Sequence, residues 1–71
     1  MNYIELGNQY LDEAAIIGSK VNSLRRDLRD NRERMTREEQ ANRYKRISML
    51  YSMYLECNIT GQHLIKRGQR I

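Results

Sequence analysis

Proline, tryptophan and phenylalanine are missing from this chain, and cysteine occurs once. Without proline, no residue is forced to break a helix. A lone Cys57 closes no intrachain disulfide, and no Cys/His cluster carries the spacing of zinc ligands. No apolar run approaches the ~20 residues that cross a bilayer. The N-terminus lacks the basic run followed by an apolar run that marks a signal peptide. The expectation is a cytoplasmic protein with Cys57 reduced and no membrane segment. In that setting the Asn58-Ile59-Thr60 glycosylation pattern is a chance match.

The means of catalysis are equally scarce. The four glycines are scattered, so no phosphate-cradling loop is formed. His63 is the only histidine. It lies six residues from Cys57, about 120° around a helix, so the two form no nucleophile–base pair. No catalytic residue, cofactor site or metal site is assigned, and the chain reads as a non-enzyme.

What the chain does have is helical periodicity from end to end. In the first half Tyr3, Gly7, Tyr10, Ala14, Ile17, Val21, Leu24 and Leu28 step by four and three in alternation. In the second half Tyr44, Ile47, Tyr51, Tyr54, Asn58, Gly61, Ile65 and Gly68 do the same. This is the spacing that keeps one stripe against one partner helix. Between the halves, Thr36 and Glu39 form a capping box, and Glu38 and Glu39 suit the positive end of a helix dipole. The spacing predicts helix one over about 3–33, a turn over 34–36 and helix two over 37–69. The fold class is all-α, an antiparallel two-helix hairpin in one domain. Facing residues should have numbers summing to about 70, so that small residues at 14, 15 and 18 make room for Tyr51 and Tyr54. Two β-branched residues and Gly61 weaken helix two near residues 58–61, but the apolar phase continues beyond them.

A hairpin needs one apolar stripe per helix, and this sequence has more. A second column runs Leu50, Cys57, Leu64, Ile71 in helix two and Ile4, Leu11, Gly18 in helix one. Met49, Met53 and Leu55 widen it, leaving Ser48, Ser52 and Glu56 for water. One helix contact covers only about a third of a circumference, and monomers avoid apolar patches of this size. Leu11, Met49, Leu50, Met53, Cys57 and Leu64 are therefore the expected interface with another chain. A second copy would give a homodimeric four-helix bundle, and a different protein partner is the other candidate. Toward the turn the second column becomes Arg25, Arg32 and Arg43. The tips then either project as basic arms or meet Glu5, Asp12 and Glu13 of a partner.

The formal charge of +4 is concentrated in residues 25–46, where nine basic side chains face five acidic ones. Arginine outnumbers lysine ten to three over the whole chain, and arginine pairs well with phosphate. Arg25, Arg29, Arg32, Arg37 and Arg43 are the nucleic-acid contacts of an alternative reading. Against it stand four i,i+4 ion pairs, Arg26–Asp30, Arg29–Glu33, Asp30–Arg34 and Glu39–Arg43, that would support a solvated helix face. Tyr44, Tyr51 and Tyr54 fall on the seam and read as core instead of a base-stacking platform.

In length, heptad spacing and single short turn, the chain resembles the plasmid-encoded ROP-type regulators, helical hairpins that dimerise into four-helix bundles. The resemblance covers architecture alone, and no functional residue carries over. The leading functional expectation is a small protein–protein interaction module acting as adaptor, inhibitor or regulator. Its size and basic character suit a phage or mobile-element accessory.

Overall fold

A computed structural model describes residues 2–70. Helix α1 spans Tyr3–Asn31 and helix α2 spans Arg37–Gln69. The two pack against each other as a hairpin, and the described residues contain no strand. The molecule is a rod of 54 × 15 × 14 Å. Its Cα radius of gyration is 16.0 Å, against ~11 Å for a globular chain of this length.

Local chemistry fixes the helix ends. The Asn2 Oδ1 accepts from the backbone N–H of Ile4 at 3.0 Å and of Glu5 at 3.4 Å, capping α1. The Thr36 Oγ1 accepts from the Glu39 N–H at 3.1 Å, which is the capping contact read from the sequence. Helix α1 stops at Asn31, earlier than the periodicity suggests, because residues 32–34 tighten into a 3-10 turn. Met35 then turns extended and its N–H donates to the Arg32 carbonyl at 3.2 Å. Gln40 closes the turn from the far side. Its Nε2 donates to the carbonyls of Arg32 at 2.9 Å and Met35 at 3.2 Å. Beneath this turn the Met35 side chain packs onto the core.

Helix α2 runs unbroken through residues 58–61. Gly61 is what allows the helices to close there. A Cβ on Gly61 would lie 2.9 Å from the Gly7 carbonyl oxygen, and a Cβ on Gly7 would lie 2.8 Å from that of Gly61. Further along, Gly18 lies against the Tyr54 ring, whose nearest atom is 3.3 Å from where a Cβ would stand. That is the small-against-large fit expected of residue 18. The core is thin: Ala14, Ile17, Val21, Leu28 and Ile47 are its buried apolar side chains.

The seam of α2 is rotated from the one read in the sequence. Ile47, Tyr54, Gly61, Ile65 and Gly68 keep their places, Ile65 lying directly against Gly7, but toward the turn the alternating positions are Leu50 and Cys57. Tyr44 and Tyr51 turn outward to half exposure. Burying a tyrosine or Asn58 on the axis would require a partner for each polar group. Leucine and cysteine fill the same space without one. In α1 the same exchange puts Leu11 over Gly61 and leaves Tyr10 exposed. Ile71, the last member of the sequence's second column, lies outside the described residues.

Candidate interaction surfaces

The rotation of α2 redistributes the six residues expected at an interface. Leu50 and Cys57 pack on the hairpin's own core, and Leu64 is half-buried. Leu11 is spent on Gly61. Only Met49 and Met53 stand open, at 62% and 48% exposure. They bracket Leu50 in a shallow depression rimmed by Asn42, Lys45 and Arg46. Other apolar side chains are also exposed. Ile16, Leu55 and Ile59 each keep more than a third of their surface in solvent. Of these, Leu55 was read as widening the apolar face. Ile16 and Ile59 belong to neither of the apolar columns read from the sequence.

The arginines separate onto two sides of the rod. Arg43 points to one side, where its Nη1 meets the Asp27 Oδ2 of α1 at 3.1 Å. Asp27 also accepts from the Asn31 side-chain amide at 2.8 Å. Arg43 is therefore occupied by an acid across the hairpin and does not join the others. None of the four i,i+4 pairs expected from the sequence closes within 4.0 Å among the described residues; Arg29 instead meets its neighbour Asp30 at 3.3 Å. Both partners in that contact are well exposed, so it contributes little.

On the opposite side Arg25 and Arg29 of α1 and Arg32, which caps its C-terminal end, step by four and three and line one groove. Across from them stands Tyr44 of α2. Together with Leu28 and Ile47 these four line a groove of about 310 Å³ that holds no carboxylate. The Arg25 guanidinium carbon lies 5.4 Å from the centre of the Tyr51 ring, within cation–π range. Tyr51 in turn stacks on Tyr54, with centroids 5.9 Å apart and planes at 26°. So Arg25 is held in place by a two-ring ladder. Tyr44 is 50% exposed and has neither a ring nor a cation against it among the described residues. Arg37 opens α2 seven residues before Tyr44, on the same column, and is exposed.

These positions correct the reading of Tyr44 and Tyr51 as core. They are surface rings beside arginines, and only Tyr54 is in the seam. The sequence held a signal for this: Arg25/Arg32 and Tyr44/Tyr51 are two columns of seven-residue spacing that antiparallel packing brings side by side.

His63 is exposed near the chain's C-terminal end and lines a shallow depression with Lys66, Arg67 and Arg70. Cys57 is half-buried in the seam. Among the described residues no group of three His, Cys, Asp or Glu side chains could hold a metal ion. Among the described residues no helix is long and apolar enough to cross a membrane. Comparison with protein-family models, curated proteins and solved structures returns no match to this chain.

Proposed function

We propose that this chain is a non-enzymatic interaction module, an adaptor, inhibitor or regulator that works as a self-associated pair of helical hairpins. The observation that carries the reading is the imbalance between core and surface. Five apolar side chains are buried, while nine large ones are exposed among the described residues. The accessible surface is 5908 Å², whereas a compact protein of 8.5 kDa exposes ~4,700 Å². The excess, roughly 1,200 Å², exceeds the ~800 Å² per partner that a standard stable interface covers. A second hairpin laid along the Met49/Met53 side would supply the missing apolar cover. Methionine suits such a contact because its unbranched side chain adapts to the surface it meets.

Sedimentation equilibrium of the wild type and of a Met49→Glu/Met53→Glu variant tests the reading. These two positions are chosen because they are open. Leu50 is avoided because it packs on the core, and a charge there would unfold the hairpin as well as the interface. The wild type should sediment at twice the 8.5 kDa chain mass and the variant at that mass. A wild type that is monomeric at 100 μM, or a variant that keeps the dimer mass, rejects the proposal.

A further inference from the structure

The groove between Arg25, Arg29, Arg32 and Tyr44 is not used by self-association through Met49 and Met53, which lie on another side of α2. We infer that it binds single-stranded nucleic acid, with a base stacked on Tyr44 and the phosphates held by the arginines. Three features of the groove favour this occupant. Its cations are all arginine, whose planar fork matches phosphate oxygens two at a time. It has no carboxylate in its lining, and the one acid near its arginines is Asp30, which meets Arg29 in an exposed contact at 3.3 Å and leaves Arg25 and Arg32 without an ion pair among the described residues. And it presents an open ring at the cationic wall, above an apolar floor of Leu28 and Ile47.

The ring decides between ligands. An acidic peptide would use the arginines but would leave Tyr44 unexplained. A duplex keeps its bases stacked on each other and offers none to a ring. An unpaired base has a free π-face, and stacking on an aromatic side chain combined with backbone charge contacts is how single strands are held without sequence readout. Arg25 and Tyr51 add pre-organisation. The guanidinium already rests on the Tyr51 ring, so less side-chain freedom is lost when a phosphate arrives. Arg32 makes no ion pair among the described residues. Arg37 extends the cationic column beyond Tyr44. Arg43, paired with Asp27 on the other side, is excluded from the site.

Fluorescence anisotropy with a labelled mixed-sequence oligonucleotide tests the inference. The probes are single-stranded RNA and DNA, the corresponding duplex, and a poly-glutamate peptide of similar charge. Single strands should bind at low salt and lose affinity steeply as salt rises, because each phosphate contact releases a counterion. They should bind at least several-fold better than duplex or peptide. Tyr44→Ala should weaken single-strand binding about tenfold, the scale of one lost stacking contact. Arg25→Ala/Arg32→Ala should weaken it more, with helicity by circular dichroism unchanged. Arg43→Ala removes one positive charge, as each of those two substitutions does, and should leave the affinity unaltered. The relative strength of the RNA and DNA arms identifies the source of the strand, and binding by either supports the site. Absence of binding at low salt overturns the proposal. So does equal binding of poly-glutamate or duplex, a Tyr44→Ala variant of wild-type affinity, or an Arg43→Ala variant as weak as the groove variants.

Discussion

Gly7 and Gly61 meet backbone to backbone: a Cβ on either would stand within 2.9 Å of the other's carbonyl oxygen. This contact sets how closely the helices approach toward the open end of the hairpin. Rotating the Ile65 and Leu11 side chains that also crowd these positions would not relieve it, because the main-chain oxygens remain in the way.

Glycine in a helix interior costs about 1 kcal/mol relative to alanine, so alanine at residue 7 or 61 would stabilise the isolated helices. In the hairpin the sign should reverse. Overpacking of this kind costs about 1–3 kcal/mol, and Gly7→Ala and Gly61→Ala should each lower the urea midpoint. Gly18→Ala is the contrast. Its nearest neighbour is the Tyr54 ring at 3.3 Å, a side chain able to shift by a few tenths of an ångström. That variant should be neutral or slightly more stable. Equal destabilisation by all three would show that helix spacing is not set at the Gly7–Gly61 contact.

The turn depends on Gln40 more than on its own residues. One side-chain amide donates to two carbonyls, Arg32 and Met35, from the first turn of α2. With about 1 kcal/mol for a typical net hydrogen bond, Gln40→Ala should cost about 1–2 kcal/mol. Thr36→Ala removes a single capping bond and should cost about 1 kcal/mol. Chemical denaturation of both variants against wild type checks the order. If Thr36→Ala is the more damaging, the bridging role assigned to Gln40 is incorrect.

Stability should depend on protein concentration. A rod with five buried apolar side chains has little core of its own, and domains this small usually need a further support. If a second hairpin supplies it, mass action links folding to assembly. The thermal midpoint should rise by several degrees between 5 and 200 μM, and the Met49→Glu/Met53→Glu variant should lose that rise. A midpoint independent of concentration over this range would mean the single hairpin is sufficient.

Much of this architecture is local and was legible in the chain. Heptad steps define two helices, the Thr36 hydroxyl marks where α2 begins, and a connection this short leaves antiparallel packing as the only arrangement. The pairing register follows from the turn, so Asp27 meets Arg43 and Gly18 meets Tyr54. The rotation of α2 about its own axis did not follow. Columns 51/58 and 50/57 flank the same central line, and their spacing is identical. The choice between them rests on which side chains can be buried without orphaning a polar group, and on which small residues opposite them leave room. That is a property of two surfaces in contact. It moved Leu50 and Cys57 inward, sent Arg43 across to Asp27, and left Tyr44 and Tyr51 outside beside the arginines. The sequence determined what the elements are and where they turn; tertiary packing alone decided which residues were left on the surface.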